Sequence, residues 1–232
     1  MRLPHILLVL MLSASPVFAQ NFTPTSGPVL TMSGIGEALG APDIALIDIG
    51  VELRAPTAEQ ALRQNSGRMK DVFALLAASG IKPRDIQTSQ FSLFPQWEDQ
   101  KSPYNKPLQI VGFKVTNALN VRVRDLAQLG SILDALTKAG ANRIQSVRFS
   151  VDNSERYLDA ARRAAVVDAI RKAKITAKAA GVSLGAILSI SESRTSNPEP
   201  VFRMSALAAD TVPISGGELK FTAGVTIRFA LE

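Results

Sequence analysis

From residue 29 onward, hydrophobic and polar positions change period several times, and each change marks an element. Residues 29–37 predict a first strand and residues 44–54 a second, with Ile47, Ile49, Val51 and Leu53 on one face and Asp48, Glu52 and Arg54 on the other. The turn-forming run Gly40-Ala41-Pro42-Asp43 between them predicts a hairpin. Thr57 with Gln60 starts a first helix, carried by Leu62, Met69, Val72, Phe73 and Leu76 and ended by Gly80. A strand over 86–97 follows. The clearest alternation comes next: Val111, Phe113, Val115, Leu119, Val121 and Val123 point inward, against Lys114, Thr116, Asn120, Arg122 and Arg124 outward. That is the pattern of an antiparallel strand with one solvated face. Asp125 with Gln128 caps a second helix containing Leu129, Ile132, Leu133 and Leu136, closed by Gly140, and a strand over 142–151 follows.

Residues 154–181 predict the longest helix, around which the rest of the chain is organised. Leu158, Ala161, Ala165, Ala169, Ala173 and Ala177 recur at steps of three or four, so they share a face, and alanine there lets the helix lie close to a sheet. Asp152 with Glu155 predicts a capping box, and Gly181 a left-handed C-terminal cap. Arg156, Arg163, Arg171, Lys174 and Lys178 line another side, with Asp159/Arg163 and Asp168/Lys172 one turn apart, as suits a solvated flank. An anionic surface partner is the competing reading of that basic side, but an alanine face buries little area in a bilayer. Strands over 184–193 and 218–231 close the chain, the latter with Phe221, Ala223, Val225, Ile227, Phe229 and Leu231 on one face. The order ββαββαβαββ predicts the α+β class, with antiparallel sheet covered on one face by helices. A weak internal repeat, Ile86-Gln87-Thr88-Ser89-Gln90-Phe91-Ser92 against Ile144-Gln145-Ser146-Val147-Arg148-Phe149-Ser150, suggests that one unit is used twice.

Composition narrows the chemistry. Arg2, the apolar run 6–12 and Val17-Phe18-Ala19 predict a signal peptide over 1–19, cleaved between Ala19 and Gln20, which places the mature chain outside the cytoplasm. Residues 20–28 predict a flexible lead and 29–232 a single domain. No stretch is long enough for a membrane-spanning helix. Losing Arg2 takes Lys+Arg from 26 to 25 against 20 acids, so the net charge falls from +6 to +5, below the charge density expected of a nucleic-acid binder. The single histidine, His5, lies in the signal peptide, and there is no cysteine. The mature chain therefore lacks Ser-His-Asp and Cys-His catalysis, His or Cys zinc sites, haem ligation by histidine, and disulfides. No catalytic residue, cofactor or metal is expected. Gly34-x-Gly36-x-x-x-Gly40 approaches a dinucleotide fingerprint, but its third glycine is misplaced and a strand follows where a helix is required.

Two segments stand out as candidate contact surfaces. Residues 96–109 hold the only tryptophan, Trp97, together with Tyr104, at the tip joining two long strands. Aromatic side chains exposed there would act as interface anchors; the alternative is that they fold back over the sheet edge. Glu98 and Asp99 are adjacent on a strand and point to opposite faces, which argues against a glycosidase-type carboxylate pair. Residues 197–217 form a long connection carrying Phe202, Met204 and Leu207, suited to docking on a neighbouring subunit or on their own domain.

These segments together resemble the SIMPL-domain family of exported bacterial proteins, which includes periplasmic immunogenic proteins and proteins linked to oxidative-stress defence. The resemblance rests on Ser33-Gly34-Ile35-Gly36 with Pro42-Asp43, on Gly112-Phe113-Lys114-Val115-Thr116-Asn117 running into Val121-Arg122-Val123-Arg124-Asp125-Leu126, and on Ala139-Gly140-Ala141-Asn142 with Phe149-Ser150. The Ala-rich helix ending Gly181-Val182-Ser183-Leu184-Gly185 completes it. The resemblance implies an α+β fold, a periplasmic location and, as in some members, self-assembly into ring-like or channel-like oligomers; it supplies no catalytic residues. The expectation is thus a non-enzymatic periplasmic protein whose partner is itself, with an envelope component as a further partner and no nucleic acid. The alternatives are a small-ligand binder or enzyme using only Asp, Glu, Lys or Arg, and a membrane-surface module.

Overall fold

A computed structural model describes residues 27–98, 108–195, 199–201 and 216–232. The elements in order are β1 (Val29–Gly40), β2 (Ile44–Ala55), α1 (Ala58–Ala78), β3 (Ile86–Trp97), β4 (Ile110–Val123), α2 (Leu129–Lys138), β5 (Arg143–Ser150), α3 (Glu155–Ala180), β6 (Leu184–Thr195), β7 (Glu199–Val201) and β8 (Glu218–Leu231). Short 3-10 turns, Pro83–Asp85 and Leu126–Gln128, lead into β3 and α2. The class is α+β, and every strand pair is antiparallel. The strands divide between two four-stranded sheets, one ordered β3-β4-β2-β5 and the other β1-β8-β6 with β7 also on β8.

That division overturns the hairpin expected of the first two strands. β1 runs its full length against β8, from Val29 opposite Ala230 to Gly40 opposite Leu219, while β2 lies between β4 and β5 in the other sheet. A three-residue connection permits a hairpin but does not enforce one; here Ala41-Pro42-Asp43 carries the chain from sheet to sheet. The short β7 lies inside the long connection over 197–217.

In the first sheet β2–α1–β3 and β4–α2–β5 interleave, each pair of strands enclosing one strand of the other unit, which is the split βαβ arrangement. The repeated sequences are β3 and β5, the outer strands that end the two units. Both helices cover the same face. Ile47, Ile49 and Val51 of β2 and Leu119, Val121 and Val123 of β4 pack beneath Met69, Val72 and Leu76 of α1 and Ile132, Leu133 and Leu136 of α2. Thr57 caps α1 as its spacing predicts, its hydroxyl accepting from the Gln60 N–H at 3.2 Å. Two positions differ from the helical pattern: Phe73 is 41% exposed, and Asn65 is buried with its amide donating to the Val51 carbonyl at 2.9 Å. A buried amide is tolerated when its donor is satisfied in this way.

α3 covers one face of the second sheet, with Ala161, Ala165, Ala169, Ala173 and Ala177 all buried. The sheet supplies glycine opposite. A methyl group on Gly34 would lie 2.1 Å from the Ala165 carbonyl oxygen, and one on Gly36 2.0 Å from that of Ala161. Backbone therefore rests on backbone, and only residues without side chains fit. Gly181 ends the helix in the left-handed conformation, φ 72°, and the Val182 N–H returns to the Ala177 carbonyl at 3.1 Å. The start of α3 differs from the expected capping box: Glu155 donates its N–H to the Asn153 side chain, while the Asp152 carboxylate is held by Arg122 and Arg124. Arg163 is likewise not the partner of Asp159, whose ion pair goes to Arg162 at 2.9 Å.

The two sheets meet where β5 hands over to α3. The Asp43 N–H donates to the Ser150 carbonyl at 3.0 Å, and the Asp43 carboxylate accepts from the Asp152 N–H at 2.7 Å. Val151 packs with Leu219 and Phe221 of β8, and Tyr157 stacks on Phe221 with centroids 4.8 Å apart.

Candidate association surface

β4 has two neighbours only over part of its length. Its pairing with β2 ends at Phe113 opposite Ala55, whereas its pairing with β3 continues through Gly112 opposite Gln96 to Ile110 opposite Trp97, and the Glu98 N–H still donates to the Gln109 carbonyl at 2.9 Å. The helical cover also stops here. Ala61 and Leu62 of α1 reach Val115, Leu93 and Phe113, the outermost residues of that core cluster. Beyond it, β3 and β4 continue as a two-stranded ribbon for four to five residues, roughly 15 Å at the rise of a strand.

This ribbon is apolar and exposed. On it Trp97 is 53% exposed and Val111 61%, and Leu108 and Ile110 are also exposed; Phe94, 60% exposed, and Phe91 lie just before it, where β2 still pairs with β4, and are exposed as well. Trp97, read from the sequence as a tip anchor, thus lies in solvent within a larger apolar group. Val111 is a correction: its alternation points inward, but among the described residues no third strand or helix covers it. Phe91, Phe94, Leu108 and Ile110 are additions that the aromatic and β-branched composition of residues 86–97 and 108–111 could have signalled. Tyr104, Phe202, Met204 and Leu207 lie outside the described residues. A second exposed apolar group, Ile187, Leu188 and Ile190, lies on β6, an edge strand whose pairing with β8 is interrupted by register shifts.

Charge collects at the opposite end of the hairpin. Asp85, its side chain 3% exposed, accepts two hydrogen bonds from Arg124, at 3.2 Å from Nε and 3.0 Å from Nη2. Arg124 also reaches Asp152 at 2.7 Å, and Arg122 bridges to Asp152 at 3.3 Å. The Arg124 guanidinium, by hydrogen bond and then by charge, holds the carboxyls of Asp85 and Asp152 below the usual range against the opposing effect of desolvation. On the open face of the same sheet Glu52 pairs with Lys114 at 2.7 Å, which holds its carboxyl low. On α3, Asp168 bonds Lys172 and Arg171 and accepts the Ile35 N–H at 3.1 Å, so its carboxyl lies far below the usual range. Lys172 also donates to the Ser33 carbonyl, so two side chains of α3 occupy backbone groups along the outer edge of β1. Among the described residues no group of three or more His, Cys, Asp or Glu is placed to hold a metal ion, and no helix is long and apolar enough to cross a membrane.

The SIMPL family model, described as a protein of unknown function (DUF541), matches residues 30–229. The 26 kDa periplasmic immunogenic protein of Brucella melitensis biotype 1 is 36% identical over 227 residues, covering 94% of this chain and 90% of the relative. The uncharacterized protein YggE of Edwardsiella ictaluri is 35% identical over 184 residues, covering 78% and 75%. The protein of that name from Escherichia coli (strain K12) is 30% identical over 240 residues, covering 100% and 95%. With a family model spanning both sheets and relatives matched over most of their length, the chain belongs to the SIMPL family.

Proposed function

We propose that this is a non-enzymatic periplasmic protein that works as a homo-oligomer, joined through the distal part of the β3–β4 hairpin. The exposed apolar ribbon carries the proposal. A two-stranded ribbon is marginal in water by itself, and contiguous apolar surface of this kind on a soluble protein marks a contact. Trp97 on the ribbon and Phe94 beside it have the size of interface anchors, and a second copy laid on them would bury apolar surface that the subunit itself leaves exposed. The periplasmic setting is supported by the name of the Brucella relative and by the segment over 1–19. Its link to envelope or oxidative-stress defence rests on the family resemblance alone.

Sedimentation across a range of protein concentrations tests the assembly. The wild type should sediment as an oligomer, and Trp97→Ala should move it toward smaller species with unchanged secondary structure, at a cost of about 2 kcal/mol or more per contact. A wild type that stays monomeric at high concentration overturns the proposal; an unchanged oligomer in the variant moves the interface to another surface, with the β6 edge next to be tested.

A further inference from the structure

At the base of the same hairpin, away from the apolar ribbon, the helix-free side of the first sheet holds a shallow depression of about 220 Å³. Three arginines from three elements line it: Arg84 from the 3-10 turn before β3, Arg122 from β4 and Arg148 from β5. Arg122 and Arg148 are both register partners of Leu46, one on each side of it, so they stand two strand spacings apart, roughly 10 Å, with the leucine as floor between them. Gln87 and Asn120, themselves register partners, add two carboxamides along one margin.

The carboxylates nearby balance this set only in part. Asp85, itself on the lining, is engaged bidentately by Arg124, lies 4.0 Å from Arg122 and feels the charge of Arg84, and Asp152 is shared by Arg124 and Arg122. Asp48 lies one row further along β2, opposite Asn120 and Ser146. Arg84 and Arg148 make no ion pair among the described residues. Arg148, without a carboxylate, faces Arg84 and Arg122, whose nearest carboxylates are already held by Arg124, and an anion among the three would relieve their mutual repulsion. Each guanidinium offers paired N–H donors that match two oxygens of a tetrahedral oxyanion, which a halide cannot present.

We propose that this depression binds a phosphate-type oxyanion, bracketed by Arg122 and Arg148 with Arg84 closing the third side. Such a group reaches a periplasmic protein either as a small soluble phosphate or as a phosphomonoester headgroup of a lipid. Calorimetric titration with inorganic phosphate, at ionic strength held constant with chloride, and flotation with vesicles of phosphatidylcholine with and without phosphatidic acid separate the two sources. Saturable binding of inorganic phosphate that weakens about tenfold in Arg84→Ala and in Arg148→Ala is the expected result, the loss of one charge-assisted contact each. Binding only to vesicles containing phosphatidic acid, lost in the same variants, assigns the site to the lipid headgroup. Both arginines are exposed, so circular dichroism of the variants should match the wild type. No saturable binding in either arm, or binding that the two substitutions leave unchanged, overturns the proposal.

Discussion

Asp85 is the residue at which chemistry and stability meet most directly. It is nearly inaccessible, yet its charge is retained because Arg124 presents two N–H groups to it. Its folded carboxyl titrates below its unfolded value, so its contribution to stability is fully present above the ordinary carboxylate range. As pH falls below that range and through the lower folded value, the contribution is lost. Asp85→Asn removes this dependence. The variant should be less stable than the wild type near neutral pH by about 1–3 kcal/mol, and the gap should close on acidification. Urea unfolding across an acid pH series measures it; a gap independent of pH would mean that Asp85 acts through packing rather than charge. The isolated sequence marks Arg122 and Arg124 as outward-facing residues of a strand, which they are, but it does not join them to Asp85 and Asp152, because those carboxylates reach the site from other turns of the fold.

At the scale of elements, period and caps were legible and partners were not. The alternation in β2, β4 and β8 comes from a face buried against helices, and Thr57 and Gly181 mark ends by local hydrogen bonding that needs nothing distant. Strand pairing is a long-range choice. Nothing in residues 29–54 indicates that β1 crosses to β8 some 190 positions away. The informative signal is the match between a row of glycines, Gly34 and Gly36, and the alanine row of α3, since only small residues on both surfaces allow that approach. A glycine pattern considered for nucleotide binding is thus the seat of a helix. Ala169→Leu should destabilise the fold by roughly 1–3 kcal/mol by forcing methylenes into this seam. Gly34→Ala should cost at least as much, since its new methyl meets backbone that cannot rotate aside. Thermal melts of both variants check this, and wild-type stability in either would place the seam apart in solution.

For the whole molecule, the two ends of the β3–β4 hairpin differ in chemistry: an apolar ribbon beyond the reach of α1, and an arginine-lined base beside the junction of the two sheets. The exposed position of Trp97 was legible because it falls between two strong strand patterns. The extent of the ribbon was not, since alternation says which face a residue occupies and not whether another element covers that face; Val111 is the plain case. This placement makes the proposed assembly observable without a label. Trp97 is the only tryptophan, so tryptophan emission, excited selectively over the two tyrosines, reports on the ribbon alone. In a separated subunit its half-exposed indole emits at long wavelength; in an assembly joined through the ribbon it loses water and the emission moves to shorter wavelength. Dilution of the wild type should therefore shift emission to the red over the same concentration range in which the sedimenting mass falls, while far-ultraviolet circular dichroism stays constant because the core of each subunit is intact. Emission that stays constant while the mass falls would place the contact away from the ribbon, and a red shift accompanied by loss of circular dichroism would mean that subunits unfold as they separate.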